Sequence, residues 1–281
     1  MTDAKPAIPG FAERRAAVRG CSIRYFVGGE GPPLVLVHGL GGSAANWCAL
    51  APLLATSRRV LVPDLPGHGL STALPAVSGL EAFADRVAAV AEREGMLPAA
   101  VVGHSLGGLV ALRWAIRRPR NVAALVLAAA AGLSLGGRWG RALLAGTIAV
   151  RPGRLAARHR ERVTRSPLLR RLVFGPFMAA DPLGLTEAAI EGFLGAQLLH
   201  TDVRSAWRAL DRDDPRLELE RVRCPALVLW GADDVQLPLD DAFEYARRLR
   251  APLRTIADCG HLLIGERPDA CADAIERFLR A

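Results

Sequence analysis

Short, wholly apolar runs alternate along this chain with stretches of helical periodicity, and that alternation restricts the fold more than any other feature. Leu34–His38 (LVLVH), Ala99–Gly103 and Ala226–Trp230 contain no acidic residue, Lys or Arg. Runs of this length and character are expected of strands buried on both faces. Cys21–Val27, Arg59–Pro63, Val122–Ala128 and Leu253–Ala257 read as further strands. Helical patterns lie between them. Ser43 or Asn46 is placed to cap a helix reaching about Ala55, and Ser78 to cap Leu80–Glu94. Leu106–Arg117 is a third helix, ended by Pro119, and Leu239–Arg250 and Pro268–Arg280 are two more. Such alternation predicts a mostly parallel sheet with helices on both faces.

The rhythm breaks between residues 132 and 215, where Arg-rich helical pieces are punctuated by Pro152, Pro167, Pro176 and Pro182 without strand signals. The expected organisation is a core of residues 1–131 and 216–281, with 132–215 inserted as a helical cap over the carboxyl edge of the sheet. A chain of 281 residues is long enough to bury such a core.

The net charge of +8 points first to nucleic acid. Its distribution points elsewhere. Arg138 to Arg171 holds ten Arg and one Glu, a local +9, so the rest of the chain sums to 8 − 9 = −1. The basicity belongs to one segment, and no aromatic stacking platform accompanies it, so nucleic acid is not an expected partner. Three readings stand for that segment. It is a solvated helical face, or a contact for an acidic carrier protein, or a contact for anionic lipid. Trp139, Leu143, Leu144 and Ile148 sit on helical spacing beside Arg138 and Arg141, as an interfacial helix requires. The uncharged stretch Asn121 to Gly137 has 17 residues, four of them Gly or Ser, and falls short of the roughly 20 apolar residues needed to span a bilayer.

Five scattered cysteines without a CxxC pair read as small buried hydrophobes in a reducing compartment, with no metal site expected. The opening segment MTDAKPAIPGFAERR has no apolar core of a secretory signal, so a cytoplasmic location is the expectation.

The chemistry concentrates where strands end. Gly103-His104-Ser105-Leu106-Gly107-Gly108 follows a buried strand and precedes a helix. A sharp turn there lifts the Ser105 hydroxyl above the sheet, and glycines two positions either side remove side chains that would collide. The first N–H groups of the helix, Leu106 foremost, aim at developing negative charge. His38-Gly39-Leu40-Gly41-Gly42 lies at another strand end, and the backbone N–H of Leu40 is the natural second donor to an oxyanion. Gly231-Ala232-Asp233-Asp234 and Cys259-Gly260-His261 follow two later strands. Nucleophile, acid and base thus occur in the order Ser, Asp, His along one carboxyl edge, where ligands bind in open α/β sheets. Either Asp233 or Asp234 satisfies that order.

Residues 21–131 and 216–281 resemble the α/β-hydrolase superfamily. The matching motifs are His38-Gly39, Asp64-Leu65-Pro66-Gly67-His68-Gly69-Leu70-Ser71, the GxSxG turn at Ser105, GxxDxxxP from Gly231 to Pro238, and Gly260-His261. The resemblance implies the α/β-hydrolase fold and a Ser105–His261–Asp234 triad, because the acid of the GxxDxxxP pattern is its fourth residue. It also implies that Asp64 and His68 stabilise a loop, and that no cofactor is needed. Some members carry the acid after an earlier strand, but Ala128–Gly132 offers no carboxylate. Epoxide hydrolases and dehalogenases are similar but have Asp where this chain has Ser105.

The implied activity is hydrolysis of an ester or thioester of an apolar acyl group, as in carboxylesterases and lipases. Carbon–carbon hydrolases of meta-cleavage products are an alternative; they often carry Trp after the catalytic His, where this chain has Leu262. Cofactor-free haloperoxidases share the same triad. A non-catalytic ligand-binding member of the superfamily is the alternative of another class. His38 and His104 read as structural residues of turns; His159 and His200 are placed where they could line a pocket, but read first as exposed or merely hydrogen-bonded.

Overall fold

The computed structural model describes residues 7–75, 77–134, 146, 153–175, 177–199 and 202–281. Eight strands form one sheet: β1 (Ala12–Val18), β2 (Cys21–Gly28), β3 (Pro33–Val37), β4 (Arg59–Pro63), β5 (Ala99–His104), β6 (Val122–Ala128), β7 (Ala226–Gly231) and β8 (Leu253–Ile256). Their order is β1-β2-β4-β3-β5-β6-β7-β8. From β4 through β8 every neighbouring pair is parallel, whereas β1 and β2 pair antiparallel, as do β2 and β4. The mostly parallel α/β sheet expected from the alternation of patterns is therefore present. β5 and β7 are buried at every residue, because helices cover both faces of the sheet.

Three local expectations are corrected. β1 was not anticipated: its Glu13, Arg14 and Arg15 are exposed and only Ala16 and Val18 are buried, the polar profile of an edge strand that discourages pairing with another chain. The helix expected as far as Ala55 is two pieces, a 3₁₀ turn at Ala44–Trp47 and a helix at Ala51–Leu54. Pro52 lacks the N–H that a continuous helix would need there. Ser43 does cap the first piece, with Asn46 reciprocating. Gly79, not Ser78, precedes the helix Leu80–Arg93, which has no side-chain cap.

Between β6 and β7 the described residues form helices and no strand: Gly153–Arg158, Arg160–Arg165, Pro167–Phe174, Glu187–Ala196 and Val203–Arg212. Ser166, Thr186 and Asp202 cap three of them by accepting the N–H groups of Leu169, Ala189 and Ser205. Helix Glu187–Ala196 lies close to the Ala44–Trp47 turn. A Cβ on Gly192 would stand 2.1 Å from the Ala45 carbonyl oxygen, so only glycine permits this approach. Arg138, Trp139, Arg141, Leu143, Leu144, Ile148 and His200 fall outside the described residues. Among the described residues, no helix is long and apolar enough to cross a membrane.

Candidate active site

Ser105 stands between the last residue of β5 and the first residue of helix Leu106–Arg117. Its backbone has φ 55° and ψ −120°, a conformation that costs a non-glycine residue on the order of 1–3 kcal/mol. Three backbone hydrogen bonds hold it there. The Ser105 N–H donates to Ala128 O at 3.0 Å, and Ser105 O accepts from Gly108 N at 3.0 Å and Ala131 N at 3.1 Å. The turn also needs room. A Cβ on Gly107 would lie 2.2 Å from Val37 O and 2.5 Å from His38 O, so the helix could not start this close to β3 with any other residue. Strain at one serine, fixed by neighbouring strands, is how the sequence presents a hydroxyl at the sheet edge.

Asp234 and His261 leave the ends of β7 and β8 and converge on that hydroxyl. His261 Nε2 lies 3.1 Å from Ser105 Oγ, and His261 Nδ1 lies 2.8 Å from Asp234 Oδ2. The side chains of His261 and Asp234 are 6% and 1% exposed, so bulk water scarcely competes for these bonds. An ionised carboxylate accepts, so Nδ1 carries the proton and Nε2 is left to accept from Ser105 O–H. The other Asp234 oxygen accepts from Gln236 N at 2.8 Å and Leu237 N at 3.0 Å. Burial pushes the Asp234 carboxyl upward in pKa, but the His261 bond and these two N–H groups outweigh it and hold the group below its usual value. Asp233 is exposed and does not enter this arrangement; its N–H donates to Cys259 O at 2.9 Å.

Leu40 belongs to the loop after β3. That loop reaches Ser105 closely, since a Cβ on Gly39 would stand 3.1 Å from Ser105 Cβ. His38 shapes it: Leu65 N–H donates to His38 Nε2 at 2.9 Å, leaving Nδ1–H to donate to Gly39 O at 2.8 Å. Gln197, after helix Glu187–Ala196, donates through Nε2 to Gly41 O at 3.0 Å and so ties the same loop to the helical segment. Leu106 is the first residue of its helix, and the first N–H groups of a helix have no partner within it.

Burial keeps two of the remaining histidines neutral. His104 Nε2 pairs with His261 O at 2.8 Å, and burial lowers its pKa to about 3. His68 Nδ1 pairs with Pro66 O at 3.0 Å, and burial lowers its pKa to about 4. Asp64 is fully buried and accepts from Ala44 N at 2.7 Å and Leu70 N at 2.9 Å, which fixes the loop between them. His159 is exposed. Among the described residues, no group of three or more His, Cys, Asp or Glu is arranged to hold a metal ion.

One participant was not anticipated. Glu266, 2% exposed, accepts Gly260 N–H at 3.1 Å on each oxygen, directly before His261. It also accepts from Ala180 N at 2.9 Å and Asp181 N at 3.2 Å, in the helical segment. Leu262 N–H donates to Met178 O at 3.1 Å, and Arg267 pairs with Asp181 at 3.2 Å. The loop bearing His261 is thereby strapped to residues 178–181. The available signal was a single acid in the otherwise uncharged run His261-Leu262-Leu263-Ile264-Gly265-Glu266.

Comparison with known proteins agrees with this architecture. The alpha/beta hydrolase family model matches residues 34–274. The pimeloyl-[acyl-carrier protein] methyl ester esterase of Aromatoleum aromaticum is 34% identical over 263 residues, covering 89% of this chain and 98% of that protein. The dihydrolipoyllysine-residue acetyltransferase component of the acetoin cleaving system of Pseudomonas putida is 34% identical over 282 residues, covering 96% of this chain and 70% of that protein. A thermophilic esterase from Thermogutta terrifontis superposes with a TM-score of 0.75 at 26% identity, covering 96% of this chain and 98% of the other. The chain belongs to the alpha/beta hydrolase family.

Proposed function

We propose that this protein is a serine hydrolase that cleaves an ester or thioester of an apolar acyl group, in the manner of a carboxylesterase or lipase, and that residues 132–215 form a cap over its site. The observation that carries the reading is the relay Ser105 Oγ–His261 Nε2 at 3.1 Å and His261 Nδ1–Asp234 Oδ2 at 2.8 Å. In the first half-reaction His261 Nε2 takes the hydroxyl proton as Ser105 Oγ attacks the carbonyl carbon. Asp234 holds the imidazole in the tautomer that leaves Nε2 free, and stabilises the imidazolium that forms. The backbone N–H groups of Leu40 and Leu106 receive the charge on the carbonyl oxygen. His261 then returns the proton to the leaving alcohol or thiol. Water attacks the acyl-Ser105 ester in the second half, and the same groups run in reverse to release the acid.

The relative named as a methyl ester esterase, and the solved esterase, favour ester hydrolysis among the reactions this site supports. The five cysteines are free, and four of them are buried, which fits a reducing, cytoplasmic setting. A series of p-nitrophenyl esters of increasing acyl length, run beside an acyl thioester, tests the reading. It expects turnover that rises with acyl length and disappears in Ser105→Ala. Turnover of none of these substrates, or turnover that persists in Ser105→Ala, contradicts it.

A further inference from the structure

Six of the eleven exposed large apolar side chains among the described residues fall within residues 155–183: Leu155, Leu168, Leu172, Phe177, Met178 and Leu183. An even spread over the chain would put far fewer there. Leu168 and Leu172, 65% and 68% exposed, are four apart on helix Pro167–Phe174 and so share one face of it. Phe177, just beyond that helix, is 62% exposed. A soluble surface leaves single apolar residues in water without consequence, but a concentration of this kind marks a contact.

The charge of the same stretch is one-sided. Arg154, Arg158, Arg162, Arg165 and Arg171 are all exposed, and Glu161 is the only acid between residues 153 and 175. Exposed Leu and Phe beside exposed Arg suit one kind of surface best. Apolar side chains enter the acyl boundary of a bilayer while guanidinium groups stay among anionic headgroups. An acidic protein would also meet the arginines, with a folded surface of its own, and is the alternative that the flotation experiment separates. The apolar end of the stretch also adjoins the proposed site, because Met178 O accepts the N–H of Leu262, the residue after His261.

We propose that the exposed arginines of residues 154–171, with Leu168, Leu172 and Phe177, dock on an anionic lipid surface and bring the site to esters held there. The docking deepens the esterase reading by naming where its substrate resides. Its test does not depend on that reading, because vesicle binding is measured whether or not Ser105 reacts.

The experiment is flotation of the full chain with phosphatidylglycerol-containing vesicles and with pure phosphatidylcholine vesicles, at low and high salt. The expected result is flotation with the anionic vesicles only, weakened by salt. The combination of Leu168→Ser with Leu172→Ser should lower the partition coefficient by about tenfold or more at either salt. Replacing Arg162, Arg165 and Arg171 by Gln should lower it by about fivefold for each charge removed. Thermal melts and far-ultraviolet circular dichroism, expected unchanged in both variants, show that they are folded. The proposal is overturned by no flotation with anionic vesicles, by equal flotation with neutral ones, or by a serine variant that floats like the native chain. Binding to an immobilised acidic carrier protein in place of vesicles also overturns it, and assigns the face to a protein partner.

Discussion

The Glu266 carboxylate accepts the backbone N–H of Gly260 at 3.1 Å on both oxygens, one residue before His261. The same carboxylate takes two N–H groups from residues 180 and 181, so the loop of the base and the helical segment share one buried anchor. Removing it would leave three donors without their acceptor, at about 1–3 kcal/mol for the buried N–H of Gly260 and less for those of Ala180 and Asp181, which lie nearer water. Glu266→Gln keeps the shape but turns an amide NH₂ toward those donors. The expectation is a lower melting temperature and, well below it, kcat reduced about tenfold with KM little changed, since displacement of a base is felt in the chemical step. A purely structural role would move only the melting temperature. Thermal melts beside steady-state kinetics on one p-nitrophenyl ester separate the two.

Asp234 and Asp233 are adjacent in sequence but not in role. Asp234 meets His261 at 2.8 Å, whereas Asp233 faces solvent. Asp234→Asn is expected to lower kcat by about a thousandfold or more, because a neutral amide no longer fixes the tautomer of the ring. Asp233→Asn should remain close to the native rate. Equal losses in the two variants, measured under identical conditions, would remove Asp234 from the mechanism.

His68 and His104 predict acid lability. Burial depresses both, to about 4 and about 3, from an ordinary value of 6.5. Below pH 6.5 the unfolded chain therefore binds protons at these rings that the folded chain refuses. Stability is fully present above that pH and is lost as pH falls toward the folded values, on the order of 1 kcal/mol per pH unit for each ring. Urea unfolding at a series of pH values reads this slope. His68→Gln should shed its share of it whatever its effect at neutral pH, and an unchanged slope would contradict the assignment.

How much of this was legible in the sequence follows from where each signal resides. Strands buried on both faces are written as apolar runs, so β3, β5, β6 and β7 stood out, and with them the turns at their carboxyl ends. Ser105 and Asp234 lie on two of those turns and His261 follows β8; their order along the chain was legible, whereas the choice of Asp234 over Asp233 came only from the family's GxxDxxxP pattern. β1 was not seen because an edge strand keeps only alternate side chains in the core, and Glu13-Arg14-Arg15 reads as loop. Glu266 and Gln197 escaped for a different reason. Their partners, Gly260 with residues 180 and 181, and Gly41, are backbone atoms brought near by the fold, and no residue type in the sequence announces them. The Arg-rich stretch announced its charge, but which leucines face water was settled only by packing.

The central claim is that Ser105 is a nucleophile activated by His261. Intact-mass measurement after exposure to a fluorophosphonate, followed by peptide mapping, tests it most directly. The account predicts a single adduct on Ser105, absent in Ser105→Ala and formed far more slowly in His261→Ala. A native chain that forms no adduct, or a Ser105→Ala variant labelled to the same extent, would contradict it.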